Sequence, residues 1–540
     1  MEVRYLYGFL LALLLAMAFF PLLIRYSVRW GLVDDSTGNA RKIHTGVIPR
    51  SGGLGIIVAA ALSVLIVQPT ADTSFSFIAA CLVIISFGLL DDIRELNPGQ
   101  KLAGQAIGVI IAMMGGMVFT ELPFFPGSHP FFSHAITFLF VMGVINGVNF
   151  SDGMDGLAAG TTLMGLVLIF VLAVESGNTA VAVMSLAISA SVLGFLRFNT
   201  HPARIFMGDA GSQFLGFALA WLAITVSQSE NSQVTTLLPL LILGIPVMDI
   251  LQVVPVRVHK QLPLPGPDKE HFHHQVAKLG FYQYEVVSII YLLQAILLGS
   301  AYVLRFESNW VVAAFYGAFV VTVLGCIYLA NVKGWKCRQP LPAGTYERRN
   351  SLFRRISGLH RHTEFVFNAI VVSILVLGGF CSKELPVPLV YSGLAVGIFL
   401  VIIKFLYGTA PPAFVGRMAS YTAVVLLMYG MTLTIETPSI NRLIDGVIAV
   451  LAMMLILSIR ITRKQYFGLT TEDLLVALFF IALAPLLLNE FGQGSIILSL
   501  VFRIWVLLYT CEYLMARGMK ARERLTYGSL CALFITVINL

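Results

Sequence analysis

Five short polar clusters interrupt an otherwise apolar chain. The densest holds Asn146, Asn149, Asp152 and Asp155, interleaved with Gly147, Gly153 and Gly156. Glycines let backbone approach a ligand closely, and Asn and Asp supply oxygen donors suited to Mg2+ or Mn2+ rather than zinc. Asp209, between Gly208 and Gly211, starts one apolar run, and Asp91 and Asp92 end another. Adjacent carboxylates repel, so both stay ionised cheaply only beside a cation or water; a lone pair at a helix end can equally be solvated. Lys101, Arg204 and Lys269 lie near these acids in sequence and suit phosphate oxygens. Mg2+ usually takes one or two protein oxygens and completes its shell with substrate phosphates and water. Acids and bases together therefore predict a metal-bound diphosphate and phosphoryl transfer, in which catalysis is positioning plus charge stabilisation.

Two further clusters flank these. The first runs through Gly31, Asp34, Asp35, Arg41, Lys42, His44, Pro49, Arg50, Gly52 and Gly53; Lys42 and His44 are candidate substrate contacts. The last holds Asp268, Lys269, Glu270, His271, His273 and His274. It lacks the i, i+4 histidine pair of a zinc helix and has no nearby cysteine. A solvated loop and a sugar- or diphosphate-binding loop both fit it. The six cysteines, Cys81, Cys326, Cys337, Cys381, Cys511 and Cys531, show no metal or redox spacing.

The elements that must position these clusters are membrane helices. Of 540 residues, 58% are hydrophobic and 12% charged, against about 25% charged in a soluble domain. Mean hydropathy is +0.86. Apolar runs long enough to span a bilayer with all backbone groups bonded internally are read near 5–27, 52–68, 76–91, 102–119, 135–149, 158–175, 179–196, 211–228, 236–254, 284–304 and 310–331. A second set is read near 364–381, 389–405, 418–435, 443–459, 472–489, 495–511 and 526–540. The expected fold is an all-α polytopic membrane protein of about eighteen transmembrane helices, its first helix retained and its N-terminus outside. With that orientation all Lys and Arg residues but Arg4, Arg305, Lys383, Arg442 and the mid-span Arg503 fall at or in the gaps assigned inside, as the positive-inside rule requires. The net charge of +7 is then a topological signal, and nucleic acid is not implied. The polar clusters share the cytoplasmic side.

Residues 1–331 carry all five clusters. A basic stretch, 332–363, forms a linker, and 364–540 is a second membrane domain of about seven helices with short, acid-poor loops. Arg503, with Glu512 further along, is either a functional group or paired structurally with another helix.

Asp91-Asp92 near a span end, Asn146-x-x-Asn149-Phe150-x-Asp152-Gly153-x-Asp155-Gly156-Leu157, Phe206-Met207-Gly208-Asp209-x-Gly211-Ser212 and His271-x-His273-His274 together resemble the polyprenyl-phosphate N-acetylhexosamine-1-phosphate transferase family, in its bacterial branch that starts surface-polysaccharide synthesis. The resemblance covers residues 1–331. It implies a Mg2+-dependent enzyme (Mn2+ as alternative) of the inner, plasma membrane. The donor would be a UDP-N-acetylhexosamine, N-acetylglucosamine first among sugars, the acceptor undecaprenyl phosphate, and the released product UMP. Asn149 and Asp209 match the Mg2+ positions, Lys101 a diphosphate-binding lysine, Asp155 a position near the uracil, and Asp91 and Asp92 the acids that orient or activate the lipid phosphate. Asp152 is structural or metal-proximal, and His271, His273 and His274 match the loop that contacts sugar and phosphates. Arg204 joins them as a substrate contact. Membrane lipid is a further partner, and homo-oligomerisation stays open. Two competing readings are a transporter or flippase of lipid-linked sugars, which would carry its ionisable groups near the bilayer midplane, and an enzymatic first half fused to a non-catalytic second half.

Overall fold

The computed structural model describes residues 3–35, 47–67, 75–120, 129–228, 234–261, 271–337, 360–381, 413–434, 438–461 and 519–538, with isolated positions at 122, 124 and 127 and within 503–515. These residues divide into two compact units, one up to residue 337 and one from 360 onward.

In the first unit a helix forms at each of the eleven apolar runs. They are α1 (Val3–Trp30), α2 (Gly52–Val67), α3 (Phe75–Arg94), α4 (Pro98–Met114), α5 (Pro130–Ser151), α6 (Leu157–Glu175), α7 (Thr179–Asn199), α8 (Gly208–Ser227), a broken pair α9 (Leu238–Ile242) and α10 (Gly244–His259), then, past a short α11 (Phe272–Lys278), α12 (Gln283–Val303) and α13 (Asn309–Val332). Eight helices among the described residues are long and apolar enough to cross a membrane, all in this unit, against the eighteen spans expected. α2, α4 and α10 run only 16 or 17 residues. The runs at 389–405 and 472–489 lie outside the described residues.

Two departures from the expected pattern have local causes. Run 236–254 is not one helix: Pro246 has no N–H for the carbonyl of Ile242, so the helix breaks at Leu243. Neighbouring helices take up the exposed carbonyls. Gln294 Nε2 donates to Ile242 O at 2.9 Å and Tyr316 Oη to Gly244 O at 2.8 Å, as low-dielectric burial demands. The all-α expectation also misses a small antiparallel ribbon, β1 (Val33–Asp35) on β2 (Val47–Pro49). Phe206 extends it, donating its N–H to Pro49 O and accepting from Gly52 N at 2.7 and 2.9 Å.

α8 is the central post, with 94% of its apolar window buried, whereas α13 is peripheral at 11%. Small residues bring neighbours onto the α8 start. A Cβ on Gly53 would run into the Gly211 backbone, and one on Gly88 would lie 2.5 Å from Ala210 Cα.

Contacts sort the loops into two sets. At one end Thr120 bonds Gln228, Glu175 meets Tyr302 and Arg305, and Thr235 bonds Asn309. The loops following α1, α3, α5 and α7 join at the other end, where Cys337 N also bonds Leu279 O. Alternating loops therefore meet alternately, as successive crossings require.

In the second unit, four helices are described: His360–Cys381, Ala413–Thr434, Pro438–Ile461 and Met519–Ile538. Arg503 is buried and paired: its Nε lies 2.7 Å from Asp445 Oδ1, and its terminal nitrogens reach Asn441 Oδ1 and O at 3.2 and 3.1 Å. The guanidinium is thus satisfied by another helix, the structural alternative. Glu512 lies outside the described residues.

Adding a methyl group where α2 or α3 touches the α8 backbone forces the helices apart, at a cost of about 1–3 kcal/mol. Gly53→Ala and Gly88→Ala are each expected to lower the thermal midpoint of the purified protein by several degrees, whereas Gly317→Ala, with open space at its Cβ, leaves it unchanged.

Candidate active site

Asp209 is the second residue of α8, and the start of that helix is built from elsewhere. Gly208 has φ +74°, a left-handed conformation that favours glycine. A Cβ there would also lie 2.5 Å from Arg50 O and 2.7 Å from the Asp92 carboxylate. The Asp92 oxygens accept from Asp209 N at 2.8 Å and Ala210 N at 3.1 Å. α8 therefore receives its cap from α3, and the carboxylate meets the positive end of the helix. Asp91, one residue earlier and turned about 100° around the helix, does something different. It accepts from Leu96 N at 2.7 Å and lies 3.1 Å from Lys101 Nζ. The pair expected to act together on the acceptor is divided between two tasks.

Lys101 bridges Asp91 and Asp209, with a direct ion pair to each. Asn149 Nδ2 donates to Asp209 Oδ1 at 2.6 Å and to Ser212 Oγ at 2.7 Å. Asp91, Lys101, Asn149 and Asp209 thus come from four helices to one point.

Two cavities open on either side of it. One, of about 730 Å3, is lined by Arg50, Asp92, Asp155, His201, Phe206 and Asp209, among others. The other, of about 450 Å3, is lined by Asp91, Asn146, Phe150, His271 and His273, among others. Their linings have in common Lys101, Asn149, Asp152, Gly153 and His274. The common wall is the convergence point.

Charge in this wall is unbalanced. Asp152 faces the cleft but is otherwise enclosed. Burial first, and then the charges of Asp209, Asp92 and Asp155, push its carboxyl well above the usual carboxylate range. Among the described residues, Lys101 and Arg50 are the Lys or Arg side chains set against these acids, and Arg50 is itself 2.7 Å from Asp34. A divalent cation would relieve this excess. Among the described residues no three His, Cys, Asp or Glu side chains converge into a closed metal cage. That donor set suits an ion that completes its shell with phosphate and water.

The remaining expected residues sort as follows. Asp155 accepts from His201 Nδ1 at 2.8 Å and Ala203 N at 3.1 Å, far along the larger cavity. Arg204 is exposed and lies against the Phe198 ring at 5.8 Å, outside both linings. His271 and His273 line the smaller cavity and His274 the common wall. His273 is buried, and the bare Gly153 makes room for it: a Cβ there would sit 2.8 Å from His273 Nε2. Burial, followed by the charges of His274 and His271, pushes its imidazole down to about 3, so it is neutral at physiological pH. Lys42 and His44 lie outside the described residues.

Four contributors were missed by sequence reasoning. Arg50 was visible beside Gly52 and Gly53, but only the ribbon aims it into the cleft. Asn199 holds two loops together, its Oδ1 accepting from Gly156 N and its Nδ2 donating to Ile205 O, both at 2.9 Å. His201 follows two residues later. Asp249 lies inside an apolar run and carried no loop signal.

The sequence matches known proteins over the helices that carry this site. The sequence model of the family described as Glycosyl transferase family 4 matches residues 74–227, the stretch from α3 through α8. A Bacillus subtilis (strain 168) protein, described as a probable undecaprenyl-phosphate N-acetylglucosaminyl 1-phosphate transferase, is 33% identical over 313 residues, 57% of this chain and 87% of the relative. The chain belongs to this transferase family. The Escherichia coli (strain K12) undecaprenyl-phosphate alpha-N-acetylglucosaminyl 1-phosphate transferase is 29% identical over 290 residues, 52% of this chain and 78% of the relative. A Mycobacterium leprae (strain TN) decaprenyl-phosphate N-acetylglucosaminephosphotransferase is 29% identical over 322 residues, 53% and 81% respectively.

Two outcomes test the site as built. Asp92→Ala leaves two α8 N–H groups without their acceptor, so it is expected to lower the thermal midpoint as well as any activity, at a cost of about 1–3 kcal/mol. Asp91→Ala is expected to lower activity with a smaller thermal loss. His273 gives a pH signature. As pH falls below about 6.5, an unfolded chain takes up the proton that folded His273 refuses until about 3. Its stabilising contribution is therefore complete above about 6.5 and lost as pH falls toward 3. Melting midpoints from pH 7 to pH 4 are expected to fall more steeply in wild type than in His273→Asn.

Proposed function

We propose that the chain transfers N-acetylhexosamine-1-phosphate, with N-acetylglucosamine as the first choice of sugar, from a UDP-sugar to undecaprenyl phosphate, releasing UMP. The observation that carries this reading is the pair of cavities with one polar wall in common. A transferase needs two substrates to approach one reacting centre from different sides. The larger cavity, with Asp155 and Arg50, suits the nucleotide donor. The smaller, with Asp91 and Lys101, suits the lipid phosphate.

An oxygen of the acceptor phosphate attacks the sugar-bound phosphorus, and the bond to UMP breaks. The acceptor's second ionisation lies near pH 6, so much of it is already a dianion at neutral pH, and a strong protein base is unnecessary. Lys101 is within reach of both cavities and neutralises charge that develops on the phosphates. Asp91 holds Lys101 and orients the acceptor. Asp209 and Asn149 would hold Mg2+, or Mn2+ in its place, which when bound supplies charge neutralisation to the diphosphate. Asp155 and its neighbours seat the base of the nucleotide.

The clusters lie at helix ends rather than at mid-span, which speaks against a transporter of lipid-linked sugars. The α9–α10 break, which resembles a transporter feature, is closed by Gln294 and Tyr316. Basic-residue placement supports a cytoplasmic site and an N-terminus outside, in the inner, plasma membrane. Residues 364–540 are read as an accessory membrane domain joined through the basic stretch 332–363.

The test is UMP release from labelled UDP-sugars by the purified protein with undecaprenyl phosphate and Mg2+. Release is expected with UDP-N-acetylglucosamine. Asp209→Asn and Asn149→Ala are expected to lower kcat by roughly 100-fold or more, the scale for losing one electrostatic stabiliser. Absence of UMP release with every UDP-N-acetylhexosamine would overturn the reading.

A further inference from the structure

Asp249 is a carboxylate in the first half of α10, 3% exposed, where its neighbours from Gly244 to Leu251 are apolar. An acid in such a setting is costly, and nature keeps it where it does something. Its two oxygens are both used, and both on the histidine cluster. Oδ2 lies 2.8 Å from His271 Nδ1, and Oδ1 accepts from Phe272 N at 2.7 Å.

The second of these bonds is an ordinary helix cap. His271 occupies the N-cap position of α11 and supplies no side-chain cap of its own, so Asp249 supplies one from another helix. Capping alone requires a single acceptor oxygen. The first bond does more. A carboxylate only accepts, so Nδ1 carries the hydrogen, and in the neutral imidazole the ring's other nitrogen is then the acceptor. The Phe150 ring packs against this imidazole at 4.7 Å between centroids and restricts its rotation. Nε2 makes no hydrogen bond among the described residues, and His271 lines the smaller cavity with Asp91 and Lys101.

We infer that Asp249 is a positioning residue: it locks His271 as the Nδ1–H tautomer and holds Nε2 toward the acceptor-side cavity. There Nε2 accepts a hydrogen bond from the protonated oxygen of that fraction of the acceptor phosphate that binds as the monoanion, while Lys101 meets its charged oxygens. This division needs a neutral acceptor nitrogen beside a cationic donor, and the buried carboxylate sets which nitrogen that is. The inference rests on the transferase reading for the identity of the acceptor; the tautomer itself does not.

Asp249→Asn separates capping from tautomer control. Its single amide oxygen can cap Phe272 N, and the amide nitrogen then presents a donor to Nδ1 and moves the ring hydrogen to Nε2. With UDP-N-acetylglucosamine and undecaprenyl phosphate, kcat is expected to fall roughly 10- to 100-fold, the range for an orienting carboxylate behind a functional histidine. KM for the UDP-sugar and the melting midpoint stay near wild type. Asp249→Glu is expected to recover much of kcat, and Asp249→Asn combined with His271→Gln to lose no more than His271→Gln alone. Nitrogen-15 histidine NMR of the purified protein reads the tautomer without any turnover: His271 is expected as Nδ1–H in wild type and shifted in Asp249→Asn. Wild-type activity in Asp249→Asn, multiplying losses in the double variant, or an Nε2–H ring in wild type would each overturn the inference. A wild type that shows the Nδ1–H ring but releases no UMP would instead overturn the transferase reading.

Discussion

Everything at the reacting centre depends on where α8 begins. A helix start exposes backbone N–H groups that need acceptors, and in a low-dielectric setting they cannot be left bare. Here the acceptor is the carboxylate of Asp92, delivered by α3. Gly208 turns the chain into the helix, and Gly53 and Gly88 let α2 and α3 lie against its first turn. Asp209 follows and meets both Lys101 and Asn149. The metal-type donors are thus held by helix packing rather than by a loop of their own.

That arrangement explains why so many acids gather in a space with few bases. Asp92 is committed to backbone, and Asp155 to His201 and Ala203. Burial still pushes the Asp92 carboxyl up to about 7, and it pushes that of Asp152 well above the usual carboxylate range. A cation and phosphates, as the proposed function has them, would offset negative charge stored this way. The ribbon contributes at the rim: by pairing with Phe206 it ties the first loop to the fourth and aims Arg50 inward.

Much of this could be read from sequence because each cluster is a local run. Asn149, Asp152, Asp155 and Asp209 are spaced by glycines in a pattern that few structural loops need, and apolar runs mark the helices between them. What sequence conceals is direction. Asp91 and Asp92 look equivalent on the page, yet successive residues on a helix point to different neighbours, so one serves the smaller cavity and the other the α8 backbone. Arg204 and Arg50 are both basic and both close to acids, but one rests on Phe198 and the other enters the cleft. The ribbon has three residues per strand, too short for a period-two pattern. The break at Leu243 was signalled by Gly244 and Pro246 but masked by continuous hydropathy, and the same hydropathy hid Asp249.

The narrow common wall between the two cavities has a consequence for small molecules. Under the proposed assignment, a compound that fills the larger space with nucleotide-like groups meets Asp155 and Arg50 and leaves the other chamber open, so it would compete with the nucleotide donor only. A compound that crosses the wall formed by Lys101, Asn149, Asp152, Gly153 and His274 would occupy both chambers with a single scaffold. Its kinetic signature would be competition against both the water-soluble and the lipid substrate, and its selectivity would rest on the five residues that both linings contain.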